Sequence, residues 1–558
     1  MLKKLHTFYN PTEVGSLGLN EDCCFVGGTD EEYINPMSFS EAWDHENEQE
    51  REHWRKAIKK EFSDMTRRGV WKHTKKQQIP SDRRLIGNKW VFKRKKNGVY
   101  RARLVGLGYS QVPGIDHKDN FSPVINEVTF RCVMVLMLQN NWVGEIVDVV
   151  TAFLYGDLDE LIFMKIPEGL NTYSNKVFND EDCVVLEKSI YGLVQATRQF
   201  HRKLISKMTK DMGFNKCLSD ECLLFRNTED GMVIVCVYID DTLCVGDEKA
   251  VKKFKNEIKE HFETKEEGKM NEYVGCKVKR TNEKSIIMYQ DDLIHKIEKT
   301  FGDLVSNMQV YDMPAGTGAR ITRSKEGLIS KKEQTLYRSG VGMLLFLVKY
   351  SRPDLANIVR ELSRVNDGAT KAHMVMLYRV IKFTIDTKNR VLEYNLKDTT
   401  NEWVLKAFCD SDWAGNKDNR RSITGYCIYL QGCLIAWKSR AQKNVTLSSS
   451  EAEYVAILEV CTEIMFIKMI LSFMGVDVKR PIQVNCDNVG AIFLSHNAKA
   501  SARTKHIDIR YHFIREHVID GLVEIVFVRS EENDADIFTK NVNKETHVKH
   551  SEKFMKDE

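Results

Sequence analysis

The sequence predicts an α+β fold assembled from several domains, and three observations predict it. At 558 residues the chain is long enough for three or four domains of ordinary size. Near its middle, Val233 to Gly246 reads Val-Ile-Val-Cys-Val-Tyr-Ile-Asp-Asp-Thr-Leu-Cys-Val-Gly. Two short β-branched runs around an acidic pair are the pattern of a buried hairpin. Beyond residue 404, three strand-like segments are followed by helix, strand, helix, strand and helix, which is the alternation of an α/β domain.

Composition narrows the class. With 42% hydrophobic and 29% charged residues the chain is an ordinary globular one. A net charge of +4 means that any nucleic-acid surface must be local. The fourteen cysteines contain no C-x-x-C pair and no zinc-finger spacing, and Cys23-Cys24 is their only cluster. That is reduced, intracellular usage. The start has no apolar core of signal-peptide length, no stretch approaches the roughly 20 apolar residues of a membrane span, and no repeat period is found.

Taken in order, residues 1–36 read as a linker or trimmed end. Ser38-x-x-Glu41 fits a capping box, the acidic run Asp44 to Glu52 reads as solvated, and Trp54, Ile58, Phe62 and Met65 share one helical face. Asn88 to Val105 alternates around Asn97-Gly98, a type I′ hairpin signal, with a basic tip at Lys93 to Lys96. Arg101 and Arg103 are two apart and share a strand face suited to phosphate contact. In Glu145-Ile-Val-Asp-Val-Val-Thr-Ala-Phe-Leu-Tyr-Gly, Asp148 closes an apolar strand and Phe153 follows five positions later, while Asp157, Asp159 and Glu160 read as solvated. Ser189-Ile-Tyr-Gly-Leu-Val-Gln-Ala-Thr carries Gln195. Val251, Phe254, Ile258 and Phe262 form the apolar stripe of a helix laid on the sheet.

The acids carry the chemistry. Asp240 and Asp241 lie side by side between apolar runs, where they repel each other and resist desolvation. A cation offsets both costs, and hard oxygen ligands suit Mg²⁺. Asp is also common in turns, so the pair needs partners. Asp148, at a strand end able to face the hairpin, completes a two-metal set in which one ion activates the attacking hydroxyl and the other holds the leaving group. A second set begins in Val404-Leu-Lys-Ala-Phe-Cys-Asp, which puts Asp410 at a strand end ahead of a hairpin at Gln431-Gly432. Leu447-Ser-Ser-Ser-Glu-Ala-Glu-Tyr opens a long helix, Val484-Asn-Cys-Asp ends a strand at Asp487, and Asn533-Asp-Ala-Asp opens a final helix at Asp536. Single acids at such places are usually caps. Three or four delivered to one end form a two-metal nuclease layout. Ser448-x-x-Glu451 and Ser450-x-x-Glu453 both fit a capping box, so capping leaves either glutamate open as the ligand.

These blocks resemble the reverse transcriptase and RNase H regions of copia-type LTR retrotransposon Pol polyproteins. Tyr238-Ile-Asp-Asp is similar to the Tyr-x-Asp-Asp box, Asp148 to Phe153 to the Asp-x-x-x-Ala-Phe-Leu block, and Tyr100 to Gln111 with Phe121-Ser-Pro-Val to the fingers. Tyr273-Val-Gly-Cys resembles the primer-grip hairpin, and Tyr337-Arg-Ser-Gly and Ser351-Arg-Pro-Asp-Leu-Ala resemble the helical connection. The resemblance implies a right-hand polymerase with fingers, an antiparallel ferredoxin-like palm and a thumb at 37–314, a connection at 315–400, an RNase H-like domain at 401–545 and a tail at 546–558. It implies RNA-directed DNA synthesis at Asp148, Asp240 and Asp241, and hybrid cleavage at Asp410, Glu453, Asp487 and Asp536. Each site would take two Mg²⁺ ions, with Mn²⁺ as a substitute. Arg101, Arg103, Gln195 and Tyr238 would contact substrate, and Phe153 would exclude the ribose 2′-hydroxyl. Glu453-Tyr-Val-Ala matches the related nucleases better than Glu451 does. The implied partners are an RNA template, a DNA or tRNA primer, the RNA–DNA hybrid and dNTPs. The implied place is the cytoplasm, within virus-like particles if the element is active.

The chain departs from the family at Val194 and Thr197, where Lys and Pro are usual, and its loop Arg529 to Glu532 lacks the His of many RNases H. His506 reads as structural. With no Asp-Ser/Thr-Gly protease box and no integrase zinc arm, the sequence reads as a fragment, a processed product or a partial copy of a polyprotein. The alternative is a catalytically silent nucleic-acid-binding relic. The intact acids count against it.

Overall fold

The structure, a computed structural model, describes residues 35–95, 98–396, 402–496 and 508–558. The chain folds as two compact units. One takes it as far as Lys118 and again from Asp159 to Val194, and the other comprises Asp119–Leu158 and Gln195–Glu558.

The first unit opens with α1 (Phe39–Trp43) and α2 (Glu48–Arg67). Ser38 caps α1 by accepting from the Glu41 N–H at 3.2 Å. Trp54, Ile58, Phe62 and Met65 are buried, as the periodicity of α2 requires. The acidic run is solvated at Asp44, Glu46, Glu48 and Glu52, but Glu50 accepts from Arg94 at 2.9 Å and from the Tyr100 hydroxyl at 2.5 Å. β1 (Trp71–Lys75) and β2 (Leu85–Ile86) precede the hairpin β3 (Asn88–Arg94) and β4 (Tyr100–Gly106), which pairs from Asn88↔Gly106 to Arg94↔Tyr100. Residues 96 and 97 lie outside the described residues, while Gly98, the second residue of the expected Asn-Gly turn, has φ 78° and bonds the Lys95 carbonyl at 2.8 Å. The glycines of Leu-Gly-Tyr and Tyr-Gly-Leu allow a close crossing: a Cβ on Gly108 would meet the Gly192 carbonyl oxygen at 2.1 Å, and Gly192 has φ +84°.

The chain then enters the second unit with α3 (Glu127–Gln139), β5 (Val143–Val149) and a 3-10 turn at Ala152–Tyr155. It returns along β6 (Asp157–Lys165), α4 (Leu170–Ser174) and β7 (Asp182–Lys188), so the first unit's main sheet has the order β1-β7-β6-β2. Back in the second unit come α5 (Ala196–Lys210), β8 (Asn215–Lys216), β9 (Leu223–Thr228), β10 (Gly231–Tyr238), β11 (Asp241–Gly246), α6 (Glu248–His261) and β12 (Thr264–Lys269). Their sheet is antiparallel throughout, in the order β12-β5-β11-β10-β9-β8. Val233 to Val237 and Leu243 to Val245 are all buried, which is why both strands read as continuous apolar runs. The α6 stripe Val251, Phe254, Ile258 and Phe262 is also buried.

Next come β13 (Glu272–Tyr273), β14 (Cys276–Asn282), β15 (Ser285–Tyr289), α7 (Asp291–Val305), α8 (Lys331–Tyr350), α9 (Ala356–Ser363), α10 (Lys371–Asp386) and β16 (Arg390–Asn395). Ser351-Arg-Pro-Asp-Leu-Ala owes its form to a buried ion pair. Arg352 grips Asp354 through two 2.9 Å bonds, with side chains 1% and 0% exposed, and also bonds Thr387.

The last region holds β17 (Leu405–Asp412), β18 (Ile423–Leu430), β19 (Cys433–Ala441), α11 (Ser449–Phe473), β20 (Ile482–Cys486), α12 (Val489–His496), α13 (Asp508–Ile519) and β21 (Val523–Phe527). Its mixed sheet runs β19-β18-β17-β20-β21, with β20 parallel to β17 and β21. The expected order of elements is present as far as β21, with two helices in place of one between β20 and β21, and the fold is α+β with an antiparallel palm-type sheet and an RNase H-like α/β region. His506 lies outside the described residues. Two expectations change. Asp536 starts only a 3-10 turn, Asp536–Phe538, after which the Thr539 hydroxyl donates to the Asp536 carbonyl at 3.0 Å and to Asp410, tying the segment to β17. The expected tail is ordered as α14 (Lys544–Ser551) and β22 (Met555–Asp557), whose Met555 and Phe554 are buried where β22 pairs with β16.

Candidate metal centres

The first centre is built by strand register. Tyr238 pairs with Asp241, so Ile239 and Asp240 form a two-residue turn. Asp241 in turn lies directly opposite Asp148 on β5, and the Val149 N–H reaches the Asp240 carbonyl at 3.4 Å. Opposed residues of an antiparallel pair share a face, and like charges placed so are destabilising without a counter-ion. On the other side of β5, Lys265 is the register partner of Asp148. Asp148, Asp240 and Asp241 are half-buried.

The turns around this end are strained. Thr151, Ile239 and Val274 have φ of 53°, 56° and 55°. These are the β-branched residues found at positive φ among the described residues, and all three stand at turns of this sheet or the adjoining hairpin. Each costs on the order of 1–3 kcal/mol, and such strain gathers at functional sites. Tyr273, before Val274, donates its hydroxyl to the Cys236 carbonyl at 3.0 Å, and its ring lies 6.4 Å from that of Tyr238. Phe153 is half-buried in the 3-10 turn and packs against the core, with its carbonyl accepting from Gly156 at 3.2 Å. Gln195 is buried, just ahead of α5. In the first unit, Arg101 is exposed beside its register partner Lys93, and the Arg103 guanidinium lies 4.0 Å over the Tyr191 ring.

The second centre is built by tertiary assembly. Asp410 on β17, Asp487 just past β20 and Asp536 in its turn bring carboxylate oxygens within 4.8 Å of one another. Glu453 on α11 forms a like group with Asp487 and the Cys486 thiol. The two glutamates of α11 do different things. Glu451 closes the cap: its N–H bonds Ser448 at 3.2 Å and its carboxylate accepts from the Leu447 N–H at 2.7 Å. Glu453, two residues on and therefore on the other side of the helix, is buried and accepts from the Ser411 N–H and hydroxyl at 2.9 and 2.8 Å.

Burial, and then the charge of Asp536, push the Asp410 carboxyl up to about 7. Burial and then Asp410 raise Glu453, and burial, reinforced by Asp487, raises Asp536. The buried Asp410 and Asp536, gathered with the half-buried Asp487, offer oxygen atoms that fit a hard divalent cation. The neighbouring Asp534 has another job, accepting from His550 at 2.8 Å, Lys553 at 2.5 Å and the Tyr429 hydroxyl at 3.1 Å.

Sequence reasoning missed the groups that hold these acids. Thr539 donates to Asp410, Ser530 donates to Asp487 at 2.6 Å, and Lys540 pairs with Asp536 at 3.0 Å. Ser530 lies in the very loop noted for lacking a His. The one available signal was the i,i+4 spacing of Asp536 and Lys540.

Most of the chain is similar in sequence to known proteins. Residues 70–314 match the family model described as "Reverse transcriptase (RNA-dependent DNA polymerase)". The chain is 34% identical over 523 residues to the retrovirus-related Pol polyprotein from transposon TNT 1-94 of Nicotiana tabacum, covering 91% of this chain and 38% of that protein. The chain is a copia-type Pol relative. The Pol polyprotein from transposon RE1 of Arabidopsis thaliana is 31% identical over 507 residues, covering 88% of this chain and 33% of its own length. This copia-type chain thus spans about a third of the curated relatives it matches. A foamy viral protease-reverse transcriptase solved with dsDNA aligns at a TM-score of 0.42 and 14% identity, covering 85% of this chain and 83% of that one. Among the described residues no helix is long and apolar enough to cross a membrane.

Proposed function

We propose that this copia-type chain is an RNA-directed DNA polymerase with a separate ribonuclease H centre. It would copy an RNA template from a DNA or tRNA primer and then cut the RNA of the hybrid. The observation that carries the reading is the register that sets Asp241 opposite Asp148 with Asp240 at the turn between β10 and β11.

Divalent ions, when bound, would activate the attacking hydroxyl and neutralise the leaving group. In the palm, Asp148, Asp240 and Asp241 would hold them, with the packed strands fixing the carboxylates before substrate arrives. Phe153, five residues past Asp148, would stand under the incoming sugar and exclude a 2′-hydroxyl, while Arg101 and Arg103 contact phosphate. In the C-terminal centre Asp410, Glu453, Asp487 and Asp536 would be the ligands. Glu453 is preferred over Glu451 because Glu451 is spent on the helix cap. Ser411, Ser530 and Thr539 would orient these carboxylates through the hydroxyl bonds they already donate.

The test is primer extension on an RNA template with Mg²⁺, with hybrid cleavage followed in parallel. Asp240→Asn should abolish extension and keep cleavage, and Asp487→Asn should do the reverse. Extension by Asp240→Asn at the parent rate would overturn the palm assignment.

A further inference from the structure

We propose that Lys540 is a tethered cation that stands in for part of the metal charge at the Asp410–Asp487–Asp536 cluster and must leave when ions bind. The inference rests on reading that cluster as an ion site. Its basis is the contrast between two adjacent residues. Thr539 is fully buried, and its hydroxyl is held both by Asp410 and by the Asp536 carbonyl at 3.0 Å. It is a fixed donor. Lys540 places its ammonium 3.0 Å from the Asp536 carboxylate, yet its side chain is 40% exposed. A four-carbon stem with an open side can swing its charge into water at little cost.

The electrostatics agree. Burial opposes the Lys540 charge, but Asp410 and Asp536, and then Asp487, outweigh it and hold the ammonium above its ordinary value. The acids facing it come from β17, from the end of β20 and from its own turn. A single positive charge offsets only part of three gathered carboxylates, so it steadies the metal-free site without filling it. A divalent ion at the same oxygens would have to compete with it. Lys540 therefore weakens ion binding in exchange for a cluster that stays assembled between turnovers.

The experiment uses the full chain carrying Asp148→Asn and Asp240→Asn, so that binding reports the C-terminal cluster. Free Mn²⁺ is followed by electron paramagnetic resonance during titration. Lys540→Met should bind Mn²⁺ about fivefold more tightly than the parent, the factor expected for removing a half-exposed ion pair. Lys540→Arg, which keeps the charge, should bind like the parent. Lys540→Gln serves as a second neutral variant, with circular dichroism to confirm folding. An unchanged Mn²⁺ affinity in both neutral variants, or equal tightening in Lys540→Arg, overturns the inference. Asp410→Asn in the same background separates the two readings. If it binds Mn²⁺ as the parent does, the cluster itself is not the ion site. If it weakens binding while Lys540→Met changes nothing, only the role of Lys540 falls.

Discussion

Neutralising Asp410 should stabilise the metal-free protein, and only above a definable pH. The carboxyl is 3% exposed and lies beside Asp536, so the folded chain holds its proton up to about pH 7, against 3.8 for an ordinary aspartate. Folding therefore takes up a proton between those values. Stability is highest below about pH 4, falls as pH rises through the window and levels off above about 7. At 1.36 kcal/mol per pH unit the full loss is about 4 kcal/mol, and the part between pH 5 and 7 is about 3 kcal/mol. Asp410→Asn cannot ionise and escapes it. In the presence of EDTA the variant should gain on the parent by about 3 kcal/mol between pH 5 and pH 8. For a cooperative unit of 150–250 residues that is roughly 6–12 °C in midpoint by scanning calorimetry. Adding Mg²⁺ at pH 8 should raise the parent and leave the variant nearly still. Parallel pH profiles for the two proteins would refute the reasoning, because they would mean that Asp410 ionises in the folded state at no cost.

Three further outcomes follow from the geometry. Glu453→Gln should abolish hybrid cleavage, measured on a labelled RNA–DNA duplex, while Glu451→Gln keeps most of it because a glutamine oxygen can still accept from Leu447. Phe153→Val should raise kcat/KM for ribonucleotides relative to deoxyribonucleotides by orders of magnitude if the ring is a steric gate, since removing a clash changes a ratio. An unchanged ratio would make Phe153 a core aromatic. Arg352→Met should cost about 3–5 kcal/mol in chemical denaturation by stranding Asp354 in the interior, with losses in both activities alike.

What the sequence disclosed follows from how far each feature reaches along the chain. The palm hairpin is local: two apolar runs, a two-residue turn and a register set by the turn. The helical face of α2 and the Ser38 N-cap are local too and are present, although the Glu41 carboxylate accepts from the Met37 N–H and does not close the expected box on Ser38. The capping pattern left Glu451 and Glu453 open and only the family-like Glu453-Tyr-Val-Ala favoured Glu453, whereas their separate bonds come from the packing of α11 against β17. Thr539, Ser530 and Ser411 were invisible for a similar reason. A serine or threonine carries no mark of the carboxylate it meets from 129, 43 or 42 positions away. The final helix at Asp536 failed because an Asn-Asp-Ala-Asp start looks like a cap, whereas Asn533, Thr539 and Lys540 instead bind this segment to β17 and the acids.

The two centres meet the same electrostatic problem with different reserves. In the palm a backbone cost adds to the repulsion between the opposed Asp148 and Asp241. Thr151, Ile239 and Val274 sit in a left-handed conformation that β-branched side chains resist, at about 1–3 kcal/mol each. Beneath them Val233, Ile234, Val235, Val237, Leu243 and Val245 are buried to 1% exposure or less, and each contributes roughly 1.5–3 kcal/mol. That core exceeds the strain and can hold three half-buried acids at a turn. In the C-terminal centre the backbone of Asp410 and Glu453 is ordinary strand and helix, and the cost lies in desolvating the carboxyls. Strain is insensitive to pH and to ions, whereas desolvation is relieved by a proton, by Lys540 or by a divalent cation. Ion binding should therefore relieve carboxylate repulsion in the palm, where Asp241 lies opposite Asp148, and carboxyl desolvation in the second centre, where burial raises Asp410 and Glu453.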